Sequence, residues 1–165
     1  MIFVTVGAQL PFDRLVRVVD AWAGETGRTD VFGQIANGER PTHMGWADFL
    51  EPEDYRKRVI EAEVVVAHAG MGSIITALEF ERPIVVLPRL GDLGETRNDH
   101  QVATGRRLAE QGLVTATDNE AELRAQLDNL DAVMAQHAER AGTSIGDRAS
   151  DGILDSIRGF LDDIG

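Results

Sequence analysis

The sequence predicts a single Rossmann-like α/β domain over residues 1–165, a parallel sheet with helices on both faces. Three observations predict it. Apolar, β-branched runs recur along the chain, "IFVTV" at 2–6, "EVVVAH" at 63–68 and "PIVVLP" at 83–88. They lack the polar alternation of a sheet with one wet face, so they read as strands covered on both sides. Segments with helical apolar spacing alternate with these runs, which implies parallel strands joined by crossover helices. The length, 165 residues, fits one domain with a buried core.

Each element follows in order. "IFVTV" is the first strand. "PFDRLVRVVDAWA" (11–23) places apolar residues at 12, 15, 16, 19 and 22, a helical stripe that Pro11 can open. "TDVFGQIA" is a second strand ending near Asn37-Gly38, and "THMGWADFL" holds a short third strand or extended segment. "PEDYRKRVIEA" is a helix opened by Pro52 with acids in its first turn. "EVVVAH" is strand, "GSIITALEFE" helix and "PIVVLP" strand again. The polar stretch "RLGDLGETRND" has no periodicity. A helix from about His100 to Gln111 and a strand "LVTAT" come next. Asp118 is expected to open one long helix, "NEAELRAQLDNLDAVMAQHAER". A hinge and a C-terminal helix fill 142–165, the hinge drawn from the Gly-containing "AGTSIGDRAS".

Composition narrows the function classes. A formal net charge of -12 and a pI near 4.6 oppose binding to nucleic acid. A small phosphorylated ligand stays open, because local backbone amides can meet its charge. The sequence has no cysteine, so it carries neither a disulfide framework nor a thiolate zinc site. "MIFVTVGAQ" lacks a basic flank and reads as a buried strand, not a secretory signal. No apolar stretch approaches the ~20 residues of a membrane span. A cytoplasmic location is the expectation.

In open parallel sheets ligands lie outside the carboxyl ends of the strands. Three unusual loops follow strands here: "GAQLPFD", "HAGMGS" and "RLGDLGETRNDHQ". Their convergence on one crevice is the first functional expectation. In "VVVAHAGMGSIITAL" (64–78), Gly70 and Gly72 permit a tight turn and close approach of a ligand. Ser73 can cap the helix that follows, and a helix N-terminus suits a phosphate. A βα turn that needs glycine only for its own packing accounts for the same residues, and a lone His68 fits a packed imidazole. Gly7 stands without a G-x-G-x-x-G pattern, and no G-x-x-x-x-G-K-[ST] loop occurs, which argues against a dinucleotide oxidoreductase and a P-loop. "GETRNDHQ" gathers Glu95, Asn98, Asp99, His100 and Gln101 before a helix. Asn, His and Gln side chains suit sugar hydroxyls, since each can both donate and accept. A solvated loop with Asn98 or Asp99 capping is the plainer alternative. The histidines lack the spacing of a metal site.

With these residues in view, the chain resembles the C-terminal, donor-binding half of family 28 glycosyltransferases, which have the GT-B fold. It is closest in pattern to a single-domain branch that includes the catalytic subunit of a dolichol-linked N-acetylglucosaminyltransferase and short exopolysaccharide glycosyltransferase subunits. The matching pieces are "MIFVTVGAQLPFDRLV", "AHAGMGSIITAL", "PIVVLPR" and "GETRNDHQ", over residues 1 to about 112. The resemblance implies a metal-independent, inverting hexosyltransferase with no cofactor, a UDP-sugar being its substrate. Gly7, His68, Gly70, Gly72 and Ser73 would face the donor diphosphate. Asn98, His100 and Gln101 would read the donor sugar, and Phe49, Leu50 and Thr76 would border the uridine. No residue is assigned as catalytic base, His68 being the nearest candidate by chemistry. Ala8 and Gln9 depart from the Thr and His common after the first-strand Gly, and Thr76 stands where a Glu usually holds the ribose. The implied partner is a membrane-anchored subunit carrying the acceptor site, which would hold the chain at the inner face of the membrane. Self-association of the isolated chain, and a non-catalytic nucleotide-sugar binding role, are the alternatives.

Overall fold

A computed structural model describes residues 1–144. Six parallel strands form one sheet in the order β3-β2-β1-β4-β5-β6: β1 (Ile2–Thr5), β2 (Val31–Gln34), β3 (Gly45–Ala47), β4 (Val64–His68), β5 (Ile84–Leu87) and β6 (Thr115–Ala116). The helices are α1 (Asp13–Thr26), α2 (Pro52–Glu61), α3 (Met71–Glu79), α4 (His100–Glu110), α5 (Glu120–Asp128) and α6 (Leu130–Ser144). The order reverses between β1 and β4, so the loops after these two strands flank the switch point where ligands gather.

Strand alternation sorts the core into two layers. Ile2, Val4, Val64, Val66, Val85 and Leu87 face α1, α5 and α6, where they meet Leu15, Val19, Leu123 and Val133. Phe3, Val65, Ala67, Ile84 and Val86 face the other side, against Val59, Ile74, Ala77 and Leu108 of α2, α3 and α4. Every residue of β1 and β5 is buried, as the unbroken apolar runs require.

Four expectations are corrected. The single long helix after 118 is two, α5 and α6, because Asn129 leaves the helical region at φ -125, ψ 42 while its side-chain amide donates to Ala125 O at 2.8 Å. Asn119, not Asp118, caps α5: its side chain accepts from Glu122 N at 2.9 Å. Pro11 lies ahead of α1, which starts at Asp13 behind Phe12. Helix α6 continues to Ser144, through the start of the expected hinge; the rest of that hinge and the C-terminal helix lie outside the described residues. Among the described residues no helix is long and apolar enough to cross a membrane.

Candidate functional site

A cleft of about 650 Å³ opens at the carboxyl end of the sheet, lined by the loops after β1, β3, β4 and β5. It brings together Gly7, Phe49, Leu50, His68, Gly70, Gly72, Ser73, Thr76 and Gln101. The turn after β4 and the end of the long loop therefore open onto one space.

The β4–α3 turn explains its own glycines differently. A Cβ on Gly70 would stand 2.0 Å from His68 Cε1, and one on Gly7 would stand 3.0 Å from His68 Nε2. These two glycines make room for the imidazole, and Gly7 also takes a positive φ of +82. At Gly72 a Cβ would meet nothing within 4 Å, and its φ is not positive. Neither packing nor backbone strain requires glycine there, and a Cβ would project into open space.

Ser73 does not cap α3. The helix begins two residues earlier behind Gly70, with no side-chain cap. Its buried hydroxyl instead accepts a hydrogen bond from the Tyr55 hydroxyl at 3.2 Å and lies 3.4 Å from His68 Nε2. Tyr55 is held edge-on against Phe3, with ring centroids 5.3 Å apart. Burial, with Arg89 nearby, pushes the His68 pKa down to about 4, so the ring is neutral at pH 7. Its Nδ1 is buried without a partner. The uncapped first turn of α3 thus presents free N–H groups and a positive dipole end toward the cleft.

Three further residues shape the cleft and were not singled out by sequence. The Gln34 amide donates to Gly7 O at 2.8 Å and accepts from Leu50 N at 2.8 Å, tying the first loop to the loop after β3. Arg89, 4% exposed, donates to the carbonyls of Val6, Leu10 and Pro11 at 2.8, 2.6 and 2.7 Å and lies over the Phe12 ring. Burial lowers its pKa from the ordinary arginine value, against an opposing influence from Glu95. Tyr55 is the third. Their partners lie far away in sequence, which hides them from any local pattern.

The long loop contains a short 3-10 turn, Gly91–Leu93. Glu95 anchors it. Its carboxylate takes Arg14 Nε at 3.1 Å and a terminal guanidinium nitrogen at 3.0 Å, and it accepts from Leu90 N. Asp99 accepts from Gly91 N and Asn98 from His100 N. Asn98 and His100 are exposed and do not line the cleft, whereas Thr96 and Gln101 do. Gln101 Oε1 accepts from Arg89 N at 3.0 Å, which leaves its NH₂ as the end free to donate. Thr76 donates to Gly72 O within its own helix at 2.8 Å. Phe49 is 55% exposed at the mouth.

Electrostatically the cleft is the reverse of the chain. The sequence has 28 acidic residues and a net charge of -12, yet no described residue lining the cleft is acidic, and Arg56 and Arg89 are among them. Backbone amides, hydroxyls, side-chain amides and two guanidinium groups give the cleft a lining rich in hydrogen-bond donors, of a kind that suits a polar anion.

Strand order, switch-point cleft and a glycine-rich helix N-terminus define the class: a Rossmann-like α/β domain with its candidate ligand site at the carboxyl end of the sheet. The chain matches the glycosyltransferase family 28 C-terminal domain over residues 1–154 and belongs to that family. Among solved structures it is similar to the glycotransferase of kitacinnamycin, at 20% identity and a TM-score of 0.61 over 95% of this chain and 42% of that one. It is similar to MurG of Acinetobacter baumannii at 16% identity and a TM-score of 0.58, over 95% of this chain and 49% of that one. ALG13, solved by NMR, aligns at 21% identity and a TM-score of 0.53 over 76% of this chain and 84% of that one. At such identities these likenesses establish the fold. The chain spans less than half the length of the first two. A search of curated proteins finds no match.

Proposed function

We propose that the chain is the donor-binding subunit of a glycosyltransferase that takes a hexose or N-acetylhexosamine from a UDP-sugar and passes it to a lipid-linked or polysaccharide acceptor. The observation that carries this reading is the acid-free cleft at the switch point, with the uncapped N-terminus of α3 and the vacant space above Gly72 opening into it. A diphosphate placed there meets amide N–H groups and the Ser73 hydroxyl, which stabilise the leaving nucleoside diphosphate as negative charge develops. The sugar then falls toward Gln101, whose NH₂ is free to donate, and the base toward Phe49 and Leu50. Asn98 and His100 reach a donor sugar only by a movement at the start of α4, so Gln101 is the stronger sugar contact.

The same cleft supplies no general base. His68 is a weak base at a pKa of about 4; one ring nitrogen faces Ser73 and the other is buried. No carboxylate among the described residues lines the cleft to take its place. An acceptor hydroxyl must lose its proton to a group outside this cleft; in the reading proposed here a second, membrane-anchored subunit brings acceptor and base together. The fold-level likeness to ALG13 covers most of that chain, 84% of it. A non-catalytic nucleotide-sugar binding role is kept in view by Thr76, whose hydroxyl donates to its own helix and not toward the cleft.

Thermal shift and calorimetry against UDP-GlcNAc, UDP-glucose, UDP-galactose and UDP-glucuronic acid test the donor side. Stabilisation by UDP and at least one UDP-sugar, lost in Ser73→Ala, is expected. Silence toward every uridine nucleotide, or equal stabilisation by NAD, sinks the reading. Transfer of labelled sugar to membranes only when a partner is co-expressed separates a catalytic subunit from a binding module.

A further inference from the structure

Arg89 is a buried cation without a counterion. It is 4% exposed, and no carboxylate among the described residues pairs with it. Of the five N–H donors of a guanidinium, three go to backbone carbonyls of Val6, Leu10 and Pro11, at 2.6 to 2.8 Å. Those carbonyls belong to the two ends of the loop after β1. Glu95 is the nearest negative influence, but its carboxylate is held by Arg14 through two nitrogens. His68, which also lines the cleft, is neutral at pH 7 and supplies no negative charge. A charge taken out of water and left unpaired destabilises a fold, so its persistence calls for a purpose. The residue lines the cleft, beside the loop it shapes.

We propose that Arg89 is the counter-charge built in for the ligand: it fixes the Gly7–Leu10 loop by its three carbonyl contacts, and the anionic diphosphate of the bound donor neutralises its otherwise unmatched positive charge. This rests on the nucleotide-sugar reading for the identity of the anion, though not for the presence of an anion site. Two roles follow from one side chain. As a positioning residue it preforms the loop; as a charge it makes affinity depend on the number of phosphates. The design also explains why the rest of the cleft can lack ion pairs: a paired guanidinium would offer a ligand far less.

The test is an affinity ladder, uridine, UMP and UDP, measured by NMR titration on the wild type, Arg89→Gln, Arg89→Lys and Gln34→Leu. Wild-type affinity should climb with phosphate number. Arg89→Gln should weaken UDP about ten- to a hundredfold, the range of hydrogen bonds to charged groups, while changing uridine by less than about threefold. Arg89→Lys, which keeps the charge and loses the three-way clamp, should keep the order of the ladder. Gln34→Leu loosens the same loop without altering charge and should weaken all three ligands by a similar factor. Equal loss of uridine and UDP in Arg89→Gln, or no loss, overturns the proposal and leaves Arg89 a loop brace. A second probe covers a poorly folding Arg89→Gln and a failed nucleotide reading alike: inorganic pyrophosphate against chloride at matched ionic strength, followed by thermal melting of wild type and Arg89→Lys. Pyrophosphate that stabilises the wild type and does so less in Arg89→Lys supports the anion site even if no uridine nucleotide binds. Pyrophosphate that leaves the wild-type melting temperature unchanged refutes it.

Discussion

Gly70 and Gly72 sit two residues apart in one turn, and alanine at each should act in opposite directions. At Gly70 the backbone is extended (φ -93, ψ 137), so alanine is not strained by torsion. The obstacle is steric: the new methyl would lie 2.0 Å from His68 Cε1, 2.6 Å from Nε2 and 2.7 Å from Nδ1. Gly7 lies against the same edge of the ring, where its own Cβ would come within 3.0 Å of Nε2. Overpacking of this kind costs about 1–3 kcal/mol, and for a chain of this size each kcal/mol lowers the melting temperature by about 2–4 °C. At Gly72, in the first turn of α3, a methyl meets no atom within 4 Å. Alanine there gains up to about 0.5–1 kcal/mol from helix propensity and reduced unfolded-state entropy. Yet the same methyl occupies the space proposed for the diphosphate. The expected pattern from thermal melts and UDP calorimetry on the same samples is therefore crossed. Gly70→Ala lowers both stability and affinity; Gly72→Ala raises the melting temperature by a few degrees and weakens UDP by about tenfold or more, through loss of close approach to the amides. A Gly72→Ala protein that binds UDP as the wild type does would refute the placement of the ligand. A Gly70→Ala protein as stable as the wild type would refute the packing of His68.

Other expectations concern the same site and its supports. His68 titrates near 6.5 when unfolded and at about 4 when folded, so between these values the unfolded chain binds the extra proton. Its contribution to stability is complete above pH 6.5 and is lost as pH falls toward 4, by about 3 kcal/mol in all; chemical denaturation across this window should show the slope, and His68→Asn should flatten it. Ser73→Ala should blunt the thermal shift given by UDP, and Tyr55→Phe should have no further effect in a Ser73→Ala background, since Tyr55 reaches the cleft's ligand through that hydroxyl. Gln101→Ala should weaken a UDP-sugar more than UDP. Arg14→Met should destabilise the protein by about 1–3 kcal/mol, because it strands the Glu95 carboxylate, only 14% exposed; Arg106→Ala, which removes a surface pair 63% and 49% exposed, should change stability by less than about 1 kcal/mol.

The sheet was legible because strand burial and helix periodicity are written in neighbouring residues. "VVVAH" carries an unbroken apolar strand pattern, and in "HAGMGS" only Ala69 and Gly70 lie between that strand and α3, which already includes Met71, Gly72 and Ser73. The convergence of three loops followed from parallel topology alone. The misreadings were of two kinds. Local alternatives nearly equal in energy decided Asn119 over Asp118 as a cap and broke the long helix at Asn129. Long-range partners decided the rest. Arg89 meets Val6 and Pro11, 83 and 78 residues away, and Gln34 bridges two loops. Tyr55 finds Ser73 from another helix. Packing and ligand approach both account for the glycines in sequence, and the structure divides them: Gly7 and Gly70 house a histidine, whereas a Cβ on Gly72 would meet nothing.

The contrast between an acidic surface and an acid-free cleft has a kinetic consequence. A multiply charged anion approaching this protein is repelled at long range and attracted only within a few ångströms of its seat. Added salt screens the distant repulsion before it weakens close contacts in a partly desolvated groove. Moderate ionic strength should therefore accelerate capture of a nucleotide sugar, the opposite of the usual behaviour of basic phosphate-binding proteins, and the surrounding negative field would hasten departure of the diphosphate once it leaves its seat.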